Sequence, residues 1–364
     1  MKVATSIVLG KAASADLAAQ AVSNAMQKAD ISVASSVLLL LTSEFASNPQ
    51  QAIKAAAKAA NCMQVMGCSA TGIFTEEDWV LDAPAVAAMV FGDGVSLELP
   101  QKNFSNQPLL TLSAPNAINS TWLNNSNRRY GGVSGDAIGQ GPFSVWQNAK
   151  GEVSGYVEAF LSGVNIATGT SHGVQLLTQP QQIQQTKQFD LIQLNDQAPL
   201  HGLQKAWKAH SKNDEAVPLH LITVLFADSA EAIAQGNFNQ TTIISCDEDN
   251  GSITLAQPLH AGQFLSWSLR ATAVAEADIA MLASRLAERL GCPPDFALLF
   301  SCLGRGPYFY NGVDRDLKVI TKTFPNMPVL GFYGNGEIAF LNGDNRLLPY
   351  SAVLSLFSAE KQHR

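Results

Sequence analysis

The order of predicted secondary-structure elements in the N-terminal part of the chain returns in its C-terminal part, and this repeat constrains the fold most. In the first copy, apolar runs of strand length alternate with helical periodicities that carry start signals at Ser14 and Pro49. The predicted elements are a strand at 3–9, a helix after Ser14, a strand at 37–41, a helix from Pro49 to Asn61, a strand at 63–67, a glycine-rich loop at 67–72 and a strand at 85–91.

The second copy has the same order and a glycine-rich loop at the matching place. Its elements are a strand at 263–270, a helix that ends at Gly291, a strand at 296–300, a helix from about 313 to Pro325, a strand at 329–330, a loop at 331–337 and a strand at 350–357. In both copies the strand after the loop returns without a helix, which indicates an antiparallel return. The sequence therefore predicts the α/β class, with mixed sheets flanked by helices in an internally duplicated two-domain architecture of β-α-β-α-β-β units.

The middle of the chain is less regular. Turn-linked strands are predicted at 131–136 and 143–163, a surface loop or edge strand at the glutamine-rich 179–188, and a helix at 198–210. Because 211–215 is the most hydrophilic stretch around that helix, we place the domain boundary there and predict domains at 1–210 and 211–364.

Charge and composition exclude several classes of partner. Only 15% of the residues are charged, the net charge is −7 and no basic cluster occurs, so nucleic acid is not expected. No apolar run approaches the roughly 18 residues of a membrane helix, and the N-terminal run is too short for a secretory signal. The five cysteines lack CxxC and disulfide spacing, as in a reducing compartment. We expect a cytoplasmic protein without membrane contact, bound metal or cofactor.

The sharpest local feature is the segment 301–306, Ser-Cys-Leu-Gly-Arg-Gly, at the end of a buried strand. Here Arg305 and the glycine amides could stabilise a Cys302 thiolate, or Arg305 could hold a carboxylate with its two-pronged guanidinium. An inert buried thiol and an ordinary ion pair are the structural alternatives for these two residues.

Two glycine motifs resemble known signatures only in part. Gly331, Gly334 and Gly336 follow a strand, but their spacing differs from the dinucleotide-binding pattern and a strand, not a helix, follows them. The segment 169–173 matches G-x-S-x-G, yet the chain after it is too short and proline-stopped for the helix of a nucleophile elbow. We expect neither nucleotide binding nor hydrolase chemistry; His172 in that segment could contact a ligand or be structural.

Further polar groups lie in the other glycine-rich segments. The loop at 67–72 offers the hydroxyls of Ser69 and Thr71, and the segment 131–136 adds flexible backbone and the carboxylate of Asp136. Several such loops in an otherwise apolar chain are typical of a pocket with a few placed polar groups.

Together these residues resemble a known family. The segments 299–306 and 328–338 resemble the signature of the FIST C-terminal domain, and Gly67-Cys68-Ser69 with 131–136 resembles the FIST N-terminal domain. The resemblance implies an intracellular sensory module for signal transduction, which binds small ligands such as amino acids and has no general reaction. It assigns 1–210 to the N-terminal and 211–364 to the C-terminal domain. Ile73 stands where the second copy has Glu337, so the two loops should differ in ligand role.

We therefore predict a sensor, not an enzyme, with a small-molecule ligand such as an amino acid or another carboxylate, and with a protein signalling partner. Arg305 would pair with the ligand carboxylate, and Asn335 or Glu337 with its polar or ammonium end. The predicted ligand-binding residues are Arg305, Cys302, Tyr333, Asn335, Glu337, Gly331, Gly334, Gly336, Ser69, Thr71, Asp136 and His172. The alternatives are an enzyme with Cys302 as nucleophile, and a scaffold that binds another protein through its middle region.

Overall fold

A computed structural model describes residues 1–46, 48–100, 107–124, 127–135, 144–211, 215–341 and 343–360. Its contacts divide the chain into two compact units. The first unit combines residues 1–172 with 278–364, and the second unit is residues 173–277.

The elements up to residue 172 are, in chain order, β1 (Lys2–Leu9), α1 (Ala15–Ala29), β2 (Ser36–Thr42), α2 (Pro49–Ala60), β3 (Val65–Ala70), β4 (Gly72–Thr75), β5 (Trp79–Leu81), β6 (Ala85–Gly92), β7 (Ser96–Glu98), β8 (Leu109–Ser113), α3 (Ser120–Leu123), β9 (Arg129–Val133), β10 (Val145–Gln147), β11 (Lys150–Gly151), β12 (Tyr156–Ser162) and β13 (Val164–Ser171). Next come β14 (Val174–Leu176), β15 (Gln181–Lys187), β16 (Asp190–Leu194), α4 (Pro199–Ser211), β17 (Ile222–Ala227), α5 (Ala230–Ala234), β18 (Asn239–Cys246), β19 (Ile253–Leu255) and β20 (Phe264–Arg270). The chain continues with α6 (Thr272–Leu290), β21 (Phe296–Cys302), α7 (Arg315–Thr323), β22 (Val329–Gly334), β23 (Glu337–Leu341), β24 (Asp344–Leu348) and β25 (Ala352–Ala359).

The predicted helix boundaries of the first copy are close to the observed ones. Ser14 occupies the N-cap position of α1, although its side chain makes no capping hydrogen bond, and Pro49 opens α2. Both helices end at a residue in the left-handed conformation, Asp30 and Asn61, whose backbone N–H groups satisfy carbonyls of the last turn.

Two sheets of the first unit share one strand pattern. The first sheet has the order β1-β6-β2-β3-β10-β11 and the second sheet β13-β25-β21-β22-β4-β5. In each, the third and fourth strands are parallel and the second strand is antiparallel to both of its neighbours. Even the register corresponds, because Leu39 lies opposite Gly67 and Leu299 opposite Gly331. The mixed α/β class is confirmed; a common origin of the two halves stays a prediction.

One member of the predicted second copy was wrong. The segment 263–270 does form a strand, β20, but it belongs to the second unit, and the strand equivalent to β1 is β13. The second unit is therefore inserted between β13 and the helix that follows it in the repeat. The predicted domain boundary between 210 and 211 lies inside this inserted unit.

The first unit has one apolar core that three sheets share. The third sheet has the order β24-β23-β9-β8-β12-β7, and its apolar side chains join those of the inner faces of the first and second sheets. The outer face of the first sheet packs under α1 and α2, and that of the second sheet under α6 and α7. Helices thus cover each of these two sheets on one side.

The second unit is a closed antiparallel sheet. Its order β20-β15-β16-β19-β18-β17 returns to β20, because β17 pairs with both β18 and β20, and β14 adds to the other edge of β20. The strand β15, predicted as loop or edge, is paired on both sides. An apolar cluster that includes Leu203 of α4 and Trp267 of β20 forms the core of this unit.

The two predicted glycine-rich loops are mostly strand. Residues 67–70 belong to β3, and Thr71 alone separates it from β4. Likewise 331–334 belong to β22, and only Asn335 and Gly336 connect it to β23. No helix in the described part of the chain is long and apolar enough to cross a membrane.

Candidate functional site

The candidate site lies at the carboxyl ends of β21 and β22, which run parallel in the second sheet. The last residue of β21, Cys302, pairs with Gly334 at the end of β22, and a single 3-10 turn at 303–305 follows β21. Ligands of open α/β sheets bind at the carboxyl ends of the strands, where loops and helix N-termini converge. Polar side chains from β13, α7, β23 and the start of β25 meet near this edge.

Arg305 is buried and forms an ion pair within the chain. Its Nε donates to Asp316 Oδ2 at 2.7 Å and its Nη2 to Asp316 Oδ1 at 3.3 Å, so the guanidinium engages both carboxylate oxygens. It also donates from Nη1 to the carbonyl and from Nη2 to the hydroxyl of Ser171, both at 2.8 Å. Since both side chains are only 2% exposed, the desolvated charges compensate each other. The carboxylate that Arg305 clamps is thus one of the protein's own.

A second buried carboxylate stands beside this pair. Asp314 caps α7, since its Oδ1 accepts from Leu317 N at 2.8 Å, and its Oδ2 accepts from the hydroxyl of Tyr333. Burial, and next the negative charge of Asp316, raise the pKa of Asp314 to about 6. Tyr310 donates to Asp316 Oδ1 at 2.6 Å. The cluster thus couples two carboxylates of one helix start to one arginine and two phenols.

Glu337 is the third buried carboxyl group and differs from the other two. Its Oε2 accepts from Ser351 Oγ at 2.6 Å and from Ser351 N at 3.3 Å, while its Oε1 accepts no hydrogen bond from the described residues. The residue is 1% exposed, and burial raises its pKa well above the ordinary value of a glutamate. The charge of Arg305 acts in the opposite direction and lowers this pKa. An unpaired buried carboxyl oxygen costs free energy unless a donor reaches it.

His172 lies at the margin of the same cluster and is half-buried. Burial lowers its pKa to about 4; Asp278 opposes this effect, and the charges of Arg305 and Arg346 add to it. Asp278 also accepts a hydrogen bond of 2.6 Å from the Ser171 hydroxyl, which links it to the arginine. At neutral pH His172 is therefore an uncharged imidazole.

The glycine-rich segments of both halves come together beside these side chains. Thr71 Oγ1 donates to the carbonyl of Gly135 at 2.6 Å, and Gly135 N donates to Ser69 O at 3.3 Å. From the other half, Asn335 Nδ2 donates to Ser134 O at 3.2 Å. A side chain at position 135 would collide with Thr71 N at 2.3 Å, so only glycine permits this approach.

The structure thus collects most of the predicted residues at one edge. Arg305, Cys302, Tyr333, Glu337 and His172 line or border the buried cluster, whereas Ser69, Thr71 and Asn335 join the backbone contacts next to it. Gly331 instead lies mid-strand, where it allows close strand packing; Asp136 lies outside the described residues.

Sequence reasoning missed five members of the cluster. Ser171 is the serine of the G-x-S-x-G match, which we did not expect to act as a nucleophile, and no motif discussed above includes the two carboxylates at the start of α7, the other serine or the tyrosine. These members are Ser171, Tyr310, Asp314, Asp316 and Ser351. The one usable signal was the pair of acidic residues close after Arg305 in the chain.

The chemistry that this arrangement offers is recognition by fixed charges and hydrogen bonds. Cys302 is 9% exposed, and its backbone N–H donates to Ser351 O at 3.0 Å. Among the described residues, no group of three or more histidine, cysteine or acidic side chains is placed to hold a metal ion.

Comparison with known proteins supports the family resemblance. Two uncharacterized proteins of Mycobacterium tuberculosis, from strains CDC 1551 / Oshkosh and ATCC 25618 / H37Rv, are each 26% identical to this chain over 229 residues. The alignment covers 62% of this chain and 60% of each relative, so it spans about three fifths of the relatives' own length. An uncharacterized protein of Mycobacterium bovis aligns at the same identity over 59% of its length. Residues 181–340 match the FIST C domain, which confirms the resemblance to the FIST domain family seen in the C-terminal motifs.

Proposed function

We propose that the protein is a signal-transduction sensor that binds a small ligand beside Glu337. The match of residues 181–340 to the FIST C domain supports the sensory role. The ligand site rests on one observation, the buried Glu337 Oε1 that accepts no hydrogen bond from the described residues. It lies at the carboxyl edge of parallel strands, where the glycine-rich segments of both halves meet.

The chemistry of this oxygen selects the ligand. A buried carboxylate is satisfied best by a charged N–H donor, so the ligand would carry an ammonium group. An amino acid fits this requirement and agrees with the interpretation of the sequence. The carboxylate of the amino acid would accept hydrogen bonds from the exposed side-chain amide of Asn335 and from neighbouring backbone N–H groups. It would not bind the guanidinium group of Arg305, which is already paired with Asp316. Arg305 would then hold Asp316 and Ser171 in place rather than bind the ligand.

Protonation would couple to binding. Burial raises the pKa of Glu337, whereas an ammonium group beside it favours the ionised form and lowers that pKa again. Binding should therefore release a proton whenever the free protein holds Glu337 protonated. A measured binding enthalpy that depends on the ionisation enthalpy of the buffer would show this release.

The experiment is a thermal-shift screen of amino acids and amines, followed by titration of each hit. A ligand at 100 times its dissociation constant adds about 2.7 kcal/mol to the free energy of unfolding. We expect Glu337→Gln to abolish this gain. Glu44→Gln, at an exposed glutamate of the same unit, serves as the matched control and should keep it. Unchanged affinity in Glu337→Gln would refute the proposed site.

A further inference from the structure

A cavity of about 470 Å³ lies in the second unit, remote in sequence from Glu337. Three segments form its walls: one face of α4, the stretch before β17 and the end of β18. Its lining residues include Leu200, Trp207, Val217, Leu219, Cys246 and Glu248. Its volume falls within the roughly 300–1,000 Å³ of small-molecule sites.

Trp207 contributes an apolar aromatic surface to this cavity. Its indole Nε1 donates to the carbonyl of Glu215 at 3.1 Å, so the only hydrogen-bond donor of the side chain is already used. The ring of His210 packs against it with centroids 5.7 Å apart. These two contacts hold the indole in place. A ligand in the cavity can therefore contact the π surface of the Trp207 ring.

The charges around the cavity favour a cation. Among the described residues of the lining, the charged side chains are one lysine, Lys208, and two glutamates, Glu215 and Glu248, so this lining has one negative charge in excess. In the cavity wall, burial and next the negative charge of Glu248 raise the pKa of the Cys246 thiol. A ligand with a single positive charge would complement this lining.

We infer that the cavity binds a small organic ammonium ion, with its charge over Trp207 and towards Glu248, and its carbon atoms against Leu200, Val217 and Leu219. Tryptophan binds cations best among the aromatic side chains, and quaternary ammonium groups are recognised by such surfaces. The apolar part of the lining favours an ion with an alkyl or aromatic body over a strongly hydrated metal ion.

This site goes beyond the proposed function, because it lies in a different unit and shares no residue with the cluster at Glu337. The two proposals can therefore fail separately. Glu337→Gln should leave binding at the cavity unchanged, and substitutions in the cavity should leave binding at Glu337 unchanged.

The test compares two probes of the same shape and different charge. Choline and its neutral isostere 3,3-dimethylbutan-1-ol are titrated calorimetrically into the full chain. We expect choline to bind about ten-fold more tightly than the alcohol, the factor that corresponds to about 1.4 kcal/mol of cation–π and carboxylate attraction. Equal affinity of the two probes, or no binding of choline at millimolar concentrations, would overturn the inference.

Three variants locate the binding. Trp207→Leu keeps an apolar side chain but removes the π surface, and Glu248→Gln removes one charge; each should weaken choline binding several-fold. Lys205→Ala on the same helix lies outside the lining and should bind as the wild type does. Choline should also slow alkylation of Cys246, and Trp207→Leu should remove this protection. If choline binds but leaves the alkylation rate of Cys246 unchanged, the cavity is not its site.

Discussion

At the scale of single residues, the ion pair between Arg305 and Asp316 is the contact on which the candidate site depends. Arg305→Ala leaves the carboxylate of Asp316 buried without its counter-charge, and we expect the free energy of unfolding to fall by about 3–5 kcal/mol. Chemical denaturation measures this loss. The exposed pair Lys28–Glu77, with side chains 40% and 49% exposed, is the control, and Lys28→Ala should cost less than about 1 kcal/mol. A similar cost for both variants would contradict this account.

The site also sets the pH dependence of stability, and two of its groups, Asp314 and His172, have opposite effects. Because the pKa of Asp314 is raised to about 6, the folded protein holds this proton more tightly than the unfolded chain, and its contribution to stability falls as the pH rises from about 4 to 6. Because the pKa of His172 is lowered to about 4, its contribution rises as the pH rises from about 4 to 6.5. Compared with the wild type, we expect the stability of Asp314→Asn to rise more steeply with pH. The stability of His172→Gln should rise less steeply or fall with pH. Denaturation midpoints at several pH values measure both slopes, and unchanged slopes would show that neither group is perturbed by folding.

The sequence predicted where Cys302 and Arg305 lie, because an apolar run followed by Gly and Arg indicates the end of a buried strand. It did not predict the partner of Arg305. Asp316 reaches the guanidinium only after the 3-10 turn at 303–305 and the segment after it reverse the chain, and no spacing rule covers such a path. The isolated oxygen of Glu337 is likewise a product of packing between β23 and β25, which local pattern does not record.

At the scale of elements, one glycine in each half allows two parallel strands to pack as they do. A Cβ at Gly67 would lie 1.7 Å from Leu39 O, and one at Gly331 would lie 2.0 Å from Leu299 O. Alanine at either position would force the strands apart, and we expect each variant to lose about 3 kcal/mol or more of stability. Thermal and chemical denaturation would measure the loss.

The matched control for these variants is Gly202 in α4, where a Cβ has no atom within 4 Å. Gly202→Ala should stabilise the protein by about 0.5–1 kcal/mol, since alanine loses less backbone entropy in a helix. If Gly67→Ala or Gly331→Ala is as well tolerated as Gly202→Ala, the close strand contact is not what these glycines provide.

The sequence predicted the helices of both halves well and the short strands poorly. Periodic apolar residues, the start signal at Pro49 and the stop signals at Gly291 and Pro325 located the helices. The strand β4 has only four residues; the predicted loop at 67–72 includes only the first of them, Gly72, and no strand is predicted at 73–75. Its stability comes from pairing with β22, more than two hundred residues away in the chain, and a local pattern contains no information about such a partner.

At the scale of the whole molecule, the second unit interrupts the second half of the repeat, and its two ends lie side by side. Val174 and Arg270 are directly paired across β14 and β20, a Cα separation of roughly 4.5–5.5 Å. Replacing 175–269 by a short Gly-Asn-Gly turn should therefore leave the first unit folded. Cooperative unfolding and retained helical circular dichroism would confirm this. A deletion variant that is unfolded would show that the first unit depends on the insertion.

Such an insertion is hard to see in a sequence. The segment 263–270 alternates like any strand, and its position before a helix placed it in the repeat, while β13 lies about a hundred residues before that helix. The hydrophilic stretch near 211 suggested a boundary because its polarity is typical of a linker. Position 211 is instead the last residue of α4, inside the second unit, and 212–214 lie outside the described residues.

The position of β25 has a consequence for the order of assembly during synthesis. This strand lies between β13 and β21, so the second sheet lacks an inner strand until nearly all of the described chain has been made. β13 leaves the ribosome before the whole inserted unit and then awaits a partner that is almost two hundred residues downstream. During this interval, β13 and β21 each have an unpaired edge facing the place of β25. Chaperones protect such unpaired strand edges on nascent chains from aggregation. The inserted unit, whose strands are contiguous in the chain, has all its partners much earlier and can close first.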